Sequence, residues 1–414
     1  MKVTFCTYDG HNCINGVNAW LRRLLPELQS REIQIQVLFI AWAPAEQCTT
    51  LPYLRQIGVD CQEIPLPYYT ERQAGWILEK LAAEPPDIFV PNCMVPALYA
   101  SRWVREAGIP TVGVLHNDDA QHRAIISEFV VGESAYQLSG VVGVSQFLEQ
   151  QVLQQKHQGT LVKRISHGVP LPPQVASAPT ERLRLAYVGR LAEEQKRISE
   201  LTRALCRVLQ DVSNTEAVIY GSGPDQPAVE QILQEEGKGL PIYLAGLVES
   251  EQVQEHLLNC HVLVLLSDYE GLGLAVMEAM ACGVVPICLR IRCGIPDLVE
   301  DGVTGLLVSD RGDDFVAAVQ RLRHEPGLWE RLSQQARDKM QTEYSNKVCT
   351  DRWDSFLWEL HQGTDPRRQI KVPSQFNLPP VNPDLASLDP REPPLHIKIL
   401  RKSRAFLEVS GFFH

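Results

Sequence analysis

The sequence predicts an α/β protein made of two doubly wound halves that face each other across a cleft. Three observations carry this expectation: strand-like and helix-like stretches alternate through the first 170 residues, a Pro/Ala/Ser stretch interrupts them at 169–180, and the alternation then restarts. At 414 residues the chain is too long for one comfortable domain, since its length divides into two or three units of about 150 residues.

The elements follow from apolar spacing. Residues 3–7 read as a first strand, and 17–30 as a helix with Leu21, Leu24, Leu25 and Leu28 on one face. Further strands are expected at 33–40, 87–90, 111–115 and 141–144. After the interruption, 183–188 reads as a strand and 198–209 as a helix with Ile198, Leu201, Leu205 and Val208 in register. Strands at 217–220, 242–244, 262–266 and 285–288 follow. Such alternation makes parallel sheets covered by helices, which bind ligands at the carboxyl ends of their strands. The expected division is 1–172, a first Rossmann-like domain; 180–344, a second; and 362–414, a tail.

Composition narrows the function. Hydrophobic residues make up 44% of the chain and charged residues 21%, so most of it can bury a core. A net charge of −11 argues against a nucleic-acid partner, and no nucleic-acid motif is present. The 11 cysteines lie mostly in apolar segments, with no pair at the two-residue gap of a zinc or redox motif, and are expected to be reduced core thiols. The start turns polar too soon for a secretory signal and no apolar run approaches 18 residues, so a cytoplasmic protein is expected. Eight of the 28 prolines fall in residues 362–414, where a regular packed fold is not expected. Lys398, Arg401, Lys402 and Arg404 form a basic cluster near the end of this tail. A surface-hugging or disordered tail is the plain reading, and contact with a partner or a membrane surface is the alternative.

The most informative segment is Ser267-Asp-Tyr-Glu270-Gly-Leu-Gly-Leu-Ala-Val-Met-Glu278. It joins an apolar strand to a helix through a glycine-containing turn, where free backbone N–H groups and the positive end of a helix dipole converge on an anion. Gly271 and Gly273 let the backbone approach a phosphate closely. Carboxylates would repel that phosphate but suit hydroxyls flanking it, Glu270 on a sugar and Glu278 on a ribose. Solvated glutamates in an ordinary strand-turn-helix are the alternative. A second segment, Tyr187-Val-Gly189-Arg190-Leu-Ala-Glu-Glu-Gln-Lys196-Arg197, places cations at the end of a strand. There Arg and Lys stabilise negative charge building on a departing diphosphate.

The paired-glutamate segment resembles the glutamate-seven-residues-glutamate motif of retaining glycosyltransferases with the GT-B fold, particularly glycosyltransferase family four. Leu272 replaces the usual aromatic residue. The Gly189-Arg190…Lys196 segment is similar to the family's stretch for the diphosphate, and Gly221-Ser-Gly223-Pro224 to its turn near the nucleotide base. By the same resemblance the backbone around Val248 contacts that base. The block from Cys293 to Val308 matches the family's next segment, with Cys293 where a second glycine is common. Gly16 resembles the glycine loop that approaches the donor phosphates, although the family often has two glycines there. His116, in Val114-Leu-His116-Asn-Asp-Asp119, would hydrogen-bond the transferred sugar or orient the reacting groups; a structural histidine is the alternative. His167 is expected to be structural. The stretch 344–361, with Trp353, Phe356, Leu357 and Leu360, looks like an amphipathic helix, and the resemblance implies that 345–361 crosses back onto the first domain as a hinge.

The resemblance thus implies a retaining transfer from a nucleotide-diphosphate sugar to an unidentified hydroxyl acceptor. His116, Arg190, Lys196 and Glu270 would serve the chemistry. Gly16, Gly221, Gly223, Val248, Gly271, Leu272, Gly273, Leu274 and Glu278 would join Arg190, Lys196 and Glu270 in holding the donor. No Asp-any-Asp triplet occurs, so a metal-independent reaction without a cofactor is expected. An epimerase of the same architecture, or a non-catalytic nucleotide-sugar-binding protein, are the alternatives.

Overall fold

The structure, a computed structural model, describes residues 1–11, 16–65, 69–155, 159–362 and 369–393. The N-terminal half alternates β1 (Lys2–Asp9), α1 (Gly16–Gln29), β2 (Gln34–Ala41), α2 (Thr50–Gln56), β3 (Asp60–Pro65) and α3 (Thr70–Ala83). It continues through β4 (Ile88–Asn92), α4 (Val95–Glu106), β5 (Thr111–Leu115), α5 (Ala120–Phe129), β6 (Gly140–Gly143), α6 (Gln146–Leu153) and β7 (Leu161–Arg164). The second half opens with β8 (Leu183–Val188), α7 (Glu193–Lys196), α8 (Ile198–Asp211), β9 (Thr215–Tyr220), α9 (Gln226–Glu235) and β10 (Ile242–Gly246). Next come α10 (Val253–Leu257), β11 (Val262–Leu265), α11 (Leu274–Ala281), β12 (Val285–Leu289), α12 (Ile295–Leu298) and β13 (Leu306–Val308). Helices α13 (Asp313–His324), α14 (Leu328–Lys339) and α15 (Asn346–Gln362) close it, with a π-helical turn at Met340–Tyr344 before the last.

The first sheet has seven strands in the order β3-β2-β1-β4-β5-β6-β7 and the second six in the order β10-β9-β8-β11-β12-β13, with every pairing parallel. Both are therefore wound alike, each reversing direction beside its first strand, at β1/β4 and at β8/β11, where open α/β sheets hold ligands. Central strands such as β5 and β12 are buried at every position, which is why they read as continuous apolar runs. Three edge strands, β3, β7 and β13, were not expected from the sequence. β3 (DCQEIP) and β7 (LVKR) are half-exposed and polar, and β13 has only three residues, so none carries the apolar run of a covered strand.

The carboxyl ends of the two sheets face each other. Asp9, at the end of β1, is fully buried and accepts hydrogen bonds from the backbone N–H groups of Gly10, Thr49, Thr50 and Leu51, closing the start of α2 with an internal carboxylate. The interrupting stretch lies against the second half: Ala176 N–H donates to Cys282 O, and Arg337 donates to Pro172 O. Val169 pairs with Ser345, and α15 then returns to the first half, burying Trp353, Phe356 and Leu357. Trp353 packs on Trp20 of α1 with ring centres 5.7 Å apart, and the Phe356 ring covers Gly140 of β6.

The described part of the proline-rich tail, 369–393, has no regular structure apart from one 3-10 turn, Pro383–Leu388. It is nonetheless fastened to the first half. Ile370 and Leu385 are buried, Phe376 packs edge-on to Trp103, and Thr70 N–H donates to Pro390 O. Asp389 is buried and held by both arms of Arg391, whose guanidinium lies over Tyr99. The basic cluster at Lys398, Arg401, Lys402 and Arg404 lies outside the described residues. The ten described cysteines are free thiols. Among the described residues, no helix is long and apolar enough to cross a membrane.

Candidate active site

Three strand ends build the first part of the site. Gly189 N–H donates to Tyr220 O, Leu191 N–H to Ser222 O and Gly221 N–H to Gly246 O, so the turns after β8, β9 and β10 are stitched together. Glycine is required where they touch: a Cβ at Gly221, whose φ is +141°, would stand 1.9 Å from Gly189 O, and one at Gly223 would stand 2.3 Å from Leu191 O. Tyr187 Oη donates to Arg190 O at 2.8 Å, fixing the backbone while the Arg190 side chain extends into solvent. Val248 follows β10 at the same edge and is partly buried.

Lys196 closes the short helix α7, and Arg197 follows in a left-handed conformation, φ +48°, before α8 begins. Lys196 sits at the carboxyl end of its own helical turn, where a cation is favourable. Gln195 Nε2 donates to Tyr269 O, and Asp268 N–H to Gln195 O, tying this turn to the one after β11. Lys196 Nζ consequently meets Glu270 Oε1 at 2.5 Å, and Arg197 meets Asp268 Oδ2 at 2.5 Å. Arg311, which the sequence did not single out, holds the other oxygen of Asp268.

Glu270 and Glu278 are both buried. Gly273, at φ +86°, turns the chain into α11, which no side chain caps, so the amides of Leu274 and Ala275 face the turn outside the helical ladder. Leu272 is buried in the core beneath the turn. From the first half, Gly16 opens α1 beside Leu274, with its ideal Cβ position 3.2 Å from Leu274 Cδ1. Two turns further along α1, Arg23 pairs with Glu278 across the two halves. Sequence reasoning missed Arg23. Nothing local marks it, because its partner lies 255 residues away.

His116 directly follows β5, with its Nε2 at 2.7 Å from Oδ1 of Asn92, a residue held at φ +54°. Burial first, then the neighbouring His167 and His122 imidazoles, push the His116 imidazole well below its ordinary value, which favours its neutral form, and Nε2–H donates to Asn92 Oδ1. His167 stacks on it face to face at 5.3 Å, and Trp20 meets both rings edge-on. Burial, then the Arg23 charge, lower His167 to about 3. The structure thus brings together Gly16, His116, Lys196, Glu270, Gly271, Gly273, Leu274 and Glu278. Arg190, Gly221, Gly223 and Val248 form a flanking group along the ends of β8 to β10.

Residues 173–339 match the family model described as Glycosyl transferases group 1. Alpha-D-kanosaminyltransferase of Streptomyces kanamyceticus is 29% identical over 175 residues, 42% of this chain and 45% of that protein. Alpha-maltose-1-phosphate synthase of Mycolicibacterium smegmatis is 34% identical over 146 residues, 33% of this chain and 36% of that protein. The chain spans less than half the length of these relatives. Among solved structures, Anabaena Alr3699/HepE in complex with UDP and glucose superposes with a TM-score of 0.70 at 17% identity, covering 87% of this chain and 100% of that one. Sucrose-phosphate synthase of Thermosynechococcus elongatus gives 0.69 at 17% identity, covering 87% and 99%. Residues 173–339 are thus similar to the glycosyl transferases group 1 family, within a two-domain α/β fold of the GT-B type.

Proposed function

We propose that this protein is a retaining, metal-independent glycosyltransferase that moves a sugar from a nucleotide-diphosphate sugar to a hydroxyl acceptor. For this reading the chain divides at 172–180, with 345–361 counted with the acceptor-side domain. The observation that carries it is the largely buried Lys196–Glu270 pair, held beside the uncapped start of α11 on a turn whose Gly271 lies against the His116 backbone of the opposite half. A diphosphate at the α11 amides gives Lys196 a stronger anionic partner and frees Glu270 to accept from sugar hydroxyls. Arg190, whose side chain is exposed at the same mouth, supplies a second cation as charge builds on the departing phosphate. Glu278 takes the ribose, exchanging Arg23 for it. Neutral His116 offers hydrogen bonding rather than charge to the transferred sugar. The acceptor hydroxyl attacks the face the nucleotide leaves, and the departing phosphate oxygen takes its proton, which accounts for retention without an enzymic nucleophile. The HepE complex with UDP makes uridine diphosphate sugars the first donors to test.

The test is a thermal-shift comparison of UDP, GDP and ADP, followed by donor turnover in the presence and absence of EDTA. One nucleotide raises the melting temperature of the wild type, and this shift is lost in Lys196→Ala. Turnover is insensitive to EDTA and falls at least tenfold in Lys196→Ala and Glu270→Gln. A variant that keeps more than a tenth of the wild-type rate overturns the assigned role, and conversion of the donor alone into an epimer overturns the transferase reading.

A further inference from the structure

Trp42 is 51% exposed, and it stands directly after β2 at the edge of the first sheet that faces the second. Its backbone N–H donates to Asp9 O at 3.1 Å, so its position is set by the sheet itself. The indole lies across Gly10, where a Cβ would stand 1.7 Å from Nε1, and stacks on Tyr8 at 5.5 Å with the planes 29° apart. A large ring is thus held flat by a glycine and an aromatic neighbour, with half its surface left to water. Such a ring carries negative potential over its face, which attracts the weakly positive C–H edges of a ligand lying flat on it.

The surroundings select the ligand class. Tyr8 Oη donates to Gln73 Oε1 at 3.3 Å, giving a hydroxyl and a carboxamide beside the ring. Among the described residues, no Lys or Arg lies over the Trp42 or the Tyr8 ring. The ring pair itself therefore offers no cation to a phosphorylated or carboxylated ligand, and an acyl chain finds one aromatic ring edged by polar groups. A polyol ring with one apolar face matches this set. We infer that Trp42 is the stacking platform of an acceptor subsite and that the acceptor is a neutral saccharide; the inference rests on the glycosyltransferase reading above.

The strand order adds a length. β2 and β5 are separated by β1 and β4, three strand spacings or roughly 14 Å, so a saccharide touching both Trp42 and the His116 region is longer than one ring. The proline-rich strap stands behind this subsite; burial first, and Asp389 of the strap only after Cys6 and Cys93, raises the Tyr8 phenol.

The experiment measures release of nucleotide from the donor by the full chain, with maltotriose, cellotriose and chitotriose as acceptors and glycerol phosphate as the anionic control. At least one trisaccharide is expected to stimulate turnover. Trp42→Ala should raise its KM at least tenfold with kcat within threefold, and Trp42→Phe should restore KM to within threefold. Stimulation by none of the trisaccharides, preference for glycerol phosphate, or a KM unmoved by Trp42→Ala each overturns the inference. If nucleotide also fails to shift the melting temperature in a Lys196-dependent way, the transferase reading falls with it; if that shift persists, only the platform falls.

Discussion

Gly271 of the second half lies against the carbonyl oxygen of His116 in the first: a Cβ added at Gly271 would stand 1.7 Å from that oxygen and 3.0 Å from Asn117 Cα. Gly294 backs the same turn, its Cβ position 2.0 Å from Gly271 O. The turn bearing Glu270 is therefore clamped between two backbones, and only hydrogen fits on either side. Gly271→Ala must push the turn away from His116. A displacement near 1 Å in a positioned site costs on the order of 10²-fold. We expect kcat/KM to fall by about that factor while circular dichroism keeps the wild-type form; steady-state kinetics on the purified variant checks it.

Arg23 and Glu278 join the two halves, with side chains 14% and 7% exposed. Removing one partner of a buried pair leaves an uncompensated charge and costs about 3–5 kcal/mol. Arg23→Met should therefore lower unfolding stability by about that much, whereas Arg23→Met combined with Glu278→Gln should recover most of it. Denaturant titration of both single variants and the double variant measures the coupling.

His122 supplies a pH signature. Burial alone would lower its imidazole, but the hydrogen bond to Asp119, 2.7 Å away, together with Cys93 outweighs burial and lifts it to about 9. The folded state then holds a proton that the unfolded state releases near 6.5. This contribution to stability is fully present below pH 6.5 and is lost as pH rises through 9. Melting temperatures measured from pH 6 to 10 should fall across that window in the wild type, and the slope should flatten in His122→Gln.

Leu385 is fully buried on the strap, although the surrounding sequence has the composition of a disordered tail. Leu385→Ala should cost about 2–5 kcal/mol, the range for emptying a packed leucine site. Exchange of amide hydrogens in α5, which contacts the Pro383–Leu388 turn, should accelerate in the same variant.

What was legible in the sequence was what local spacing encodes. The central strands announced themselves as apolar runs, and the Glu270 turn and the Lys196 segment as glycine and charge at strand ends. The edge strands β3 and β7 stayed hidden because half of each faces water. Arg23, Asn92 and the stacking of His167 on His116 were unreadable, since each depends on contacts between residues far apart in the chain. Proline content described the backbone of 369–393 correctly, as lacking regular structure. It misdirected on packing, which Ile370, Phe376 and Leu385 supply as isolated anchors.

The return of α15 and the strap has a consequence for biosynthesis. Trp353, Phe356, Ile370 and Leu385 complete the core of the first half, yet they are translated after the entire second sheet. Domains on a ribosome ordinarily mature from the N-terminus. Here the half that begins the chain lacks part of its core until Trp353 to Leu385 have been made, by which point every strand of the second sheet has already been translated.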